Sequence, residues 1–547
     1  MVQLALAATL ADVVIVSPLV SAPSAFLPHA TTAASIRLVT ATSVSVVFMT
    51  DLFTYRCGGP SLPCYETPAL PGRYLVHTFG CQMNAHDSDR MEEVLRATGW
   101  TRADGVEDAD LVVLNTCSVR EKAEQKLRSE VGKLAPFKAK NPGLVLAVAG
   151  CVAQQEGEKL LQRVAHLDLI IGPDNIADLP SLVHEQMSGA PPRAHTVFDL
   201  EAPRFLMAAP APGEVPVSAW VTTMKGCDER CSFCIVPYTR GPERYRPSAE
   251  IVAEIARWVA AGSREVTLLG QTVDSYQDPA LPPPVSDDPD ESQFPALLRA
   301  IAAQVPGLTR LRYTSPHPRH ATAALAQAHA ELDVLARHVH MPMQSGSDRI
   351  LKRMIRRYTR AEYTQRIRRL LAARPGLTVS TDVIVGFPGE TEDDFAATLD
   401  VIREVGFVGL FGFKYSPRPF TPALKLPDDV PEAVKSERLA RLFEVAESQT
   451  RAHLERLVGT RQRVLVEGAS KAQGKVTGRT ERNEIVHLDV PPGRALIGAL
   501  VDVEITQAFK HSLHGMLDAA ALATLPVLAP DALPPPVRRR RSLTMVS

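Results

Sequence analysis

The sequence has no surplus of charge of either sign: 60 Lys and Arg residues stand against 61 Asp and Glu residues in 547 positions, a formal balance of -1. A protein that bound nucleic acid through its overall charge would carry a marked positive excess, so any contact with RNA must depend on local basic patches. The 45% hydrophobic and 22% charged content is ordinary for a globular protein. At about 100–200 residues per domain, the length allows three domains.

Cysteine is also scarce, with eight residues in the whole chain. So few cysteines, so unevenly placed, cannot form the disulfide framework of a secreted protein. In a reducing compartment, cysteines more often serve as metal ligands or catalytic thiols. We therefore expect a cytoplasmic protein in which the spacing of the cysteines reveals their role.

The first 72 residues contain no lysine and have only Arg37 and Arg56 as bases. A secretory signal needs a basic start, and a transit peptide is rich in arginine, so neither description fits. The uncharged run at 13–36 invites a membrane interpretation, but three prolines interrupt it, and each removes a helical hydrogen bond. We interpret residues 1–72 as a disordered extension or a mis-assigned translation start, with a targeting or anchoring segment as the alternative, and expect no membrane association.

Residues 73–190 alternate short apolar runs with helical stretches. The runs at 74–80, 111–116, 144–150 and 167–172 predict strands. This alternation is typical of parallel strands joined by crossover helices, so we expect one open α/β domain. The stretch at 189–216, rich in proline and alanine, predicts a linker.

Residues 213–450 repeat the alternation. Six apolar strands are predicted, at 219–225, 265–270, 310–314, 339–343, 378–385 and 409–415. Six βα units are too few for the complete eight-stranded barrel, so a partial barrel is predicted. The segment at 274–293, rich in Asp and Pro, predicts a solvated insertion without chemistry of its own.

The carboxyl-terminal part begins with a long amphipathic helix predicted at 433–457. The period of the apolar residues then falls to two, which predicts strands of a small β-barrel at 463–467, 474–479, 484–489 and 500–506. We place this barrel within residues 453–517 and predict a disordered tail at 518–547. The overall fold class is therefore α/β with a small carboxyl-terminal β-barrel.

Three cysteines lie close together just after the first strand of the partial barrel, as Cys227, Cys231 and Cys234. Thiolates suit soft metals, and this spacing puts all three in one loop. A structural zinc site would normally have four protein ligands, and no fourth stands at the usual spacing. Three cysteines on a four-iron cluster leave one iron open for a substrate or cofactor. We therefore predict a catalytic [4Fe-4S] cluster, with zinc or plain thiols as alternatives.

Three more cysteines, Cys81, Cys117 and Cys151, are far apart in the sequence, but each directly follows a predicted strand of the first domain. The carboxyl ends of parallel strands share one edge of a sheet, which is where such folds place their ligands. We therefore expect the three thiols to meet at one corner and to hold a second [4Fe-4S] cluster. Buried structural cysteines are the alternative.

The run at 226–237, Gly-Cys-Asp-Glu-Arg-Cys-Ser-Phe-Cys-Ile-Val-Pro, resembles the cluster loop of radical S-adenosylmethionine enzymes. This resemblance implies that the open iron chelates the amino and carboxylate groups of S-adenosylmethionine. One electron from the cluster would then release a 5′-deoxyadenosyl radical. The resemblance also implies cofactor contacts from Phe233, Gly270, Gln271 and Gln344, although Phe233 has simple loop packing as an alternative role.

Taken together, the chain from about residue 74 to residue 517 resembles the methylthiotransferase family of radical S-adenosylmethionine enzymes. Within that family it is most similar to the branch that modifies isopentenylated adenosine in tRNA. One departure is Phe420, where the family usually has glycine. The diagnostic stretches are 78–84, 115–123, 150–155, 268–271, 343–347, 385–390 and 415–418.

The resemblance further implies a methylthiotransferase domain at 73–190, a radical core at 213–450 and a TRAM-type RNA-binding domain at 453–517. The implied reaction adds a methylthio group to carbon 2 of N6-(dimethylallyl)adenosine at position 37, in the anticodon loop of tRNA. The alternatives are threonylcarbamoyl-adenosine or a ribosomal protein aspartate as substrate, or a non-catalytic RNA-binding protein that holds zinc. A reductase, ferredoxin or flavodoxin would donate electrons, and we expect a monomer.

Basic residues supply a second, weaker indication of RNA binding. Residues 349–374 hold ten Lys and Arg residues against Glu362 alone, and residues 455–517 hold nine against seven acids. Contacts from such a face to phosphates would give affinity without reading sequence. The run Arg538–Arg541 is interpreted as a solvated tail, with RNA contact as the alternative.

Overall fold

The structure is a computed structural model that describes residues 72–119, 121–201, 203–207, 215–470, 474–489, 495–518 and 525. These residues all belong to one compact unit, Thr67–Ser547. The interpretations of the amino-terminal extension before residue 72 and of the basic tail concern segments outside the described residues. Among the helices in the described part, none is both long and apolar enough to cross a membrane.

The amino-terminal domain is a six-stranded parallel sheet with helices on both faces. The strand order is β2-β1-β3-β4-β5-β6. Its central strands β3 and β4 are buried on both faces, so their residues alternate between two apolar cores. The strands are β1 (Arg73–Phe79), β2 (Thr101–Arg102), β3 (Leu111–Thr116), β4 (Val145–Gly150), β5 (Leu169–Ile171) and β6 (Arg193–His195). The helices are α1 (Gln82–Ala97), α2 (Glu121–Lys140), α3 (Cys151–Glu156), α4 (Glu158–Arg163) and α5 (Leu179–Met187).

The four strands predicted for this domain are confirmed, but the sheet has two short strands more. Strand β6 lies inside the predicted linker and beyond the expected domain end at residue 190. It pairs with β5 through backbone groups, and its three residues are too few to show an apolar period. The linker prediction is therefore wrong at this point.

The second domain contains the predicted six parallel strands, as two sheets of three. A bridge between Leu311 and Leu335 joins the sheets edge to edge, so together they form a partial barrel. The strands of the domain are β7 (Ser218–Thr222), β8 (Met224–Lys225), β9 (Arg244–Tyr245), β10 (Glu265–Leu269), β11 (Arg310–Tyr313), β12 (His338–His340), β13 (Thr378–Val385) and β14 (Gly409–Lys414).

Helices cover the outside of this partial barrel. Two of them begin with a capping box, in which a threonine and the third helical residue satisfy each other's backbone N–H groups: Thr359 precedes α11 and Thr391 precedes α12. The helices are α6 (Val236–Arg240), α7 (Ser248–Ala261), α8 (Phe294–Gln304), α9 (Ala323–Glu331), α10 (Asp348–Arg353), α11 (Arg360–Ala373), α12 (Glu392–Val405) and α13 (Glu432–Glu455).

The segment at 274–293 is not the solvated insertion that its composition predicts. Asp274 is fully buried and accepts a hydrogen bond from the backbone N–H of His317 at 2.7 Å. At the other end, Asp290 forms an ion pair with Arg319 at 2.9 Å. Only the middle of the segment is exposed, as at Val285. Counting Asp and Pro residues cannot distinguish a buried, partnered acid from a solvated one.

The carboxyl-terminal domain is a closed barrel of five strands in the order β15-β16-β17-β19-β18. Four strands were predicted, and the fifth was missed because it follows β18 after a turn of only four residues. The turn at Thr480 docks on the amino-terminal ends of the partial-barrel strands, where Arg312 donates to the Thr480 carbonyl at 3.0 Å. The strands are β15 (Arg461–Ala469), β16 (Lys475–Thr480), β17 (Ile485–Asp489), β18 (Leu500–Ala508) and β19 (Leu513–Leu517).

Candidate metal centres

The cysteines of the amino-terminal domain lie where three neighbouring strands end. Cys81 follows β1 and caps α1, Cys117 directly follows β3, and Cys151 begins α3 after β4. Because these strands are adjacent and parallel, their ends share one edge of the sheet. We name Cys81, Cys117 and Cys151 the sheet triad.

Two glycines make room for the sheet triad. A Cβ on Gly80 would lie 2.6 Å from the Cβ of Cys117, and one on Gly150 would collide with the side-chain oxygen of Asn115. Both glycines also have φ in the left-handed range, at 152° and 91°. Glycine therefore stands before Cys81 and Cys151 because no side chain fits there.

An asparagine pair fixes the loops of the sheet triad. The Cys81 thiol donates to Oδ1 of Asn84 at 3.2 Å, and Nδ2 of Asn84 donates to Oδ1 of Asn115 at 3.1 Å. Asn115 in turn donates to the carbonyl of Asn84 at 2.7 Å. Both amides are fully buried. Their mutual hydrogen bonds join the end of β3 to the start of α1, and so hold two cysteines in register.

The thiols of the sheet triad influence one another electrostatically. A hydrogen bond from Cys117 lowers the pKa of Cys81 to about 6, while the same bond and burial raise the pKa of Cys117. Burial also raises the pKa of Cys151, although Arg240 opposes this effect by donating from Nε to the Cys151 sulfur at 3.4 Å. One arginine therefore favours the thiolate form that a metal requires.

The second group, Cys227, Cys231 and Cys234, is named the loop triad and follows β8. Cys227 lies 2.9 Å from the hydroxyl of Thr272, and the Cys231 sulfur accepts a hydrogen bond from Nη1 of Arg356 at 3.3 Å. Burial raises the pKa of Cys234 to about 12 and that of Cys227 further. Buried thiols of this kind ionise readily only when a cation binds them.

The donor set of each triad fits an iron–sulfur cluster, whose irons bind thiolate sulfur. A single zinc ion gathers its sulfur ligands at about 2.3 Å, whereas a cluster spreads them over separate irons. Each triad offers three thiols and a buried arginine that donates to one sulfur, an arrangement known to stabilise and tune clusters.

The two triads lie on either side of the contact between the first two domains. Helix α6 begins two residues after Cys234 and ends at Arg240, which reaches Cys151 of the sheet triad. Nη2 of Arg240 also lies 2.5 Å from Oδ2 of Asp87 on α1, and both side chains are buried. A second interdomain pair joins Asp174 to Lys225 at 3.2 Å. Helix α6 therefore connects the two triads directly.

The four predicted cofactor contacts lie around the loop triad. Phe233 packs edge-on against Phe387 at 6.4 Å, which agrees with a packing role. A Cβ on Gly270 would approach the Met224 side chain to 2.8 Å, so close packing requires glycine at this position. Gln271 accepts a hydrogen bond from Gly226 N at 2.6 Å, but its buried Nε2 has no partner among the described residues. Such an orphaned donor fits a bound polar ligand.

Strained backbone conformations surround the same end of the partial barrel. Five non-glycine residues in the described part have a left-handed φ, among them Gln344 at 71°. Four of the five follow strands or lie in the loops around the triads, namely Ser315, Gln344, Ile355 and Phe420. Strain of this kind, roughly 1–3 kcal/mol for each residue, collects at functional sites. Gln344 is one of these residues, and its predicted cofactor contact stays a prediction.

The basic stretch at 349–374 is mostly committed to internal contacts, which argues against the prediction that it is an RNA-binding face. Lys352 and Arg357 remain exposed. Seven arginines have partners within the fold: Arg349 binds Asp394, Arg353 binds the carbonyl of Pro388, Arg356 binds Cys231, Arg360 and Arg368 bind Glu404, Arg366 binds Asp290, and Arg374 binds the carbonyl of Leu332.

Sequence reasoning missed the residues that support the triads. Arg356 was counted as one of ten basic residues, yet it is buried and touches a metal-ligand candidate. Arg240 and Asp87 gave no signal beyond their positions near the cysteines. Asn84 and Asn115 lay within diagnostic stretches, but only the structure pairs them.

Matches to three family models agree with this architecture. Residues 73–172 match uncharacterized protein family UPF0004, residues 221–402 match the radical SAM superfamily, and residues 455–517 match the TRAM domain. Among solved structures, the radical S-adenosylmethionine methyltransferase TsrM of Kitasatospora setae aligns with a TM-score of 0.46 at 15% identity, over 75% of this chain and 81% of that chain.

A partial barrel with a cysteine triad after its first strands, beside a sheet that presents another, defines a radical S-adenosylmethionine protein with two candidate metal centres. Curated relatives narrow this class. A tRNA-2-methylthio-N(6)-dimethylallyladenosine synthase of Sorangium cellulosum is 64% identical over 487 residues, covering 85% of this chain and 98% of that protein. The protein of the same name from Ralstonia nicotianae is 45% identical, over 81% and 97%. The chain belongs to this tRNA-2-methylthio-N(6)-dimethylallyladenosine synthase family.

Proposed function

We propose that this chain adds a methylthio group to carbon 2 of N6-(dimethylallyl)adenosine at position 37 of tRNA. The observation that carries the proposal is the pair of cysteine triads joined by α6, in a chain 64% identical to a relative with this activity in its name. The target adenosine lies in the anticodon loop of that tRNA. Two [4Fe-4S] clusters and S-adenosylmethionine are the cofactors that the donor sets and the family support.

The two triads would divide the work. The loop triad would hold the cluster that, when bound, supplies an electron to S-adenosylmethionine and so provides radical chemistry. The sheet triad would hold the second cluster and the sulfur to be transferred. Arg356 and Arg240 would each hold one cysteine sulfur by a hydrogen bond. The orphaned Nε2 of Gln271 would donate to bound S-adenosylmethionine, together with contacts from Phe233, Gly270 and Gln344.

The chemistry explains why such a site is needed. Carbon 2 of adenine carries an unactivated C–H bond, so acid–base groups have nothing to act on, and a radical is required. The target base must be splayed from its loop to reach the site. Such a reaction also needs the reacting groups to be held close together. These demands agree with triads placed on both sides of one interdomain contact.

The remaining features are proposals of the same kind. A reduced ferredoxin, a flavodoxin or a reductase would donate the electrons, and the protein would act as a monomer in the cytoplasm. The five-stranded barrel would contact tRNA, in agreement with the TRAM match at 455–517. Size-exclusion chromatography with light scattering tests the monomer, and a second peak at twice the mass would contradict it.

The test is complementation of a bacterial strain that lacks this activity. The strain should accumulate tRNA with dimethylallyl-adenosine that lacks the methylthio group, and this protein should restore the methylthio form in nucleoside mass spectra. A strain that also lacks prenylation serves as the control and should give no product. If threonylcarbamoyl-adenosine or a ribosomal protein gains the methylthio group instead, the substrate assignment is wrong.

A further inference from the structure

Two exposed aromatic rings, Tyr238 and Phe420, touch each other at the surface of the second domain. Their centroids are 6.0 Å apart and their planes are inclined by 35°. Tyr238 is 41% exposed and Phe420 is 56% exposed. Aromatic rings that contact each other normally do so inside a core. Here both aromatic residues keep a large part of their surface exposed to solvent.

The backbone of Phe420 adopts a conformation that its side chain disfavours. Its φ is 67°, in the left-handed range where a Cβ is crowded and glycine is preferred. Burial of the ring does not offset this cost, because more than half of the residue is exposed. A bulky ring held at such a position indicates a use outside the fold.

The ring pair lies beside both triads. Tyr238 is on α6, between Cys234 of the loop triad and Arg240, which contacts the sheet triad. The loop that carries Phe420 is fixed on one side by a hydrogen bond from Ala423 N to the carbonyl of Ser232 at 2.8 Å. On the other side, Arg418 donates to the carbonyl of Val119 at 2.9 Å.

Val119 connects this loop to the sheet triad. Its backbone N–H donates to the Cys117 sulfur at 3.3 Å, and its own side chain is 52% exposed. The loop of Phe420 therefore spans from the residue next to Cys231 to the residue that hydrogen-bonds Cys117. The ring pair therefore adjoins the loops that carry both cysteine triads.

We infer that Tyr238 and Phe420 form a stacking platform for an unpaired base of the tRNA loop that adjoins the target adenosine. This inference rests on the proposed function, which requires the target base to be splayed out. Splaying it removes the stacking partner of the adjoining base, and an aromatic face can replace that partner. Stacking of a base on an aromatic ring tolerates any base identity, so the platform would add affinity without reading sequence.

The test uses the cluster-loaded protein and an anticodon stem-loop RNA that carries dimethylallyl-adenosine. The fluorescent base 2-aminopurine is placed in turn at each position beside the target. In the complex it should stay quenched at one of these positions, because the aromatic face replaces the stacking partner that splaying removes and stacking quenches this base. Phe420→Gly removes the ring while suiting the backbone, and Tyr238→Leu removes the other ring. Each should weaken RNA binding by about 5- to 100-fold and abolish the quenching.

Two further variants make the result specific. Phe420→Leu keeps an apolar side chain without an aromatic face and should behave like Phe420→Gly. Leu424→Ala, in the same loop and 50% exposed, removes an apolar side chain outside the ring contact and should bind as the wild type does. Iron content and thermal melting of each variant confirm that it is folded and loaded.

The inference is overturned if Phe420→Gly binds RNA like the wild type, or if Phe420→Leu keeps full affinity. It is also overturned if Leu424→Ala weakens binding equally, because the loop would then act as a general apolar surface. Loss of self-association in Phe420→Gly, in place of a change in RNA binding, would assign the rings to a protein interface. Binding is measured without turnover, so a wild-type protein that binds and quenches but makes no methylthio product would refute the proposed function alone.

Discussion

Arg240 offers the sharpest test of how the two domains are joined. Arg240 is only 5% exposed, and Nη2 of its guanidinium lies 2.5 Å from Oδ2 of Asp87, which is also buried. Burial opposes the charge, but Asp87 and Cys151 raise the pKa of Arg240 well above its usual value. The Arg240 guanidinium therefore stays charged across the physiological range. Replacing Arg240 by Met would leave the Asp87 carboxylate buried without this partner.

The cost of that change can be worked from the burial. Removing one partner of a buried ion pair costs about 3–5 kcal/mol, since the remaining charge keeps its desolvation penalty. Replacing both partners by apolar residues of similar size is close to neutral. We therefore expect Arg240→Met to destabilise the interdomain contact by about 3–5 kcal/mol, and Arg240→Met with Asp87→Leu to recover most of that loss.

Hydrogen–deuterium exchange of the α6 amides measures this effect locally, which matters because a protein of several domains need not unfold in one step. Exchange in α6 should accelerate about 100-fold or more in Arg240→Met, since each 1.36 kcal/mol is a factor of ten. The double variant should return to within about tenfold of the wild type. If the single variant exchanges like the wild type, or the double variant is no slower than the single one, the ion pair does not hold the domains as described.

The other predictions concern the triads, the pH dependence and the extension. Cys231→Ala should lose reductive cleavage of S-adenosylmethionine, whereas Cys117→Ala should retain cleavage and form no methylthio product. Equal cleavage by both variants would contradict the separate roles proposed for the two triads. Burial raises the pKa of Glu93 to about 7, so its stabilising contribution is complete below about pH 4.5 and is lost as the pH rises through 7. Glu93→Gln should therefore raise the midpoint of urea unfolding at pH 8, which corresponds to at most about 3 kcal/mol in the free energy of unfolding. At pH 4.5 the same variant should change the midpoint little. A larger stabilisation at pH 4.5 than at pH 8 would contradict the raised pKa of Glu93. A chain that begins at Arg73 should fold and load both clusters, and failure of soluble expression would make residues 1–72 structural.

The six candidate ligands could be predicted because their evidence is local. The spacing of its three cysteines predicts the loop triad. Each cysteine of the sheet triad directly follows an apolar run that predicts a strand. The structure places Cys81, Cys117 and Cys151 at adjacent strand ends, as the topology of a parallel sheet requires. Their role as cluster ligands stays a prediction.

The supporting residues could not be predicted because their partners are distant in sequence. Arg356 contacts Cys231 across 125 positions, and Arg240 contacts Asp87 across 153. A pattern of charge along the chain contains no information about such pairs, so Arg356 looked like part of an RNA-binding face. Strand β6 was missed for a related reason, since its three residues are too few to show a period and its backbone pairing with β5 fixes it.

The proposed activity is tested most directly with purified components. The cluster-loaded protein is mixed anaerobically with S-adenosylmethionine, a reductant and two synthetic anticodon stem-loops that differ only in the dimethylallyl group on the target adenosine. We predict that mass spectrometry of the digested RNA finds 2-methylthio-N6-(dimethylallyl)adenosine from the prenylated stem-loop and little or no product from the other. Cleavage of S-adenosylmethionine without a methylthio nucleoside from either RNA would contradict the proposed function.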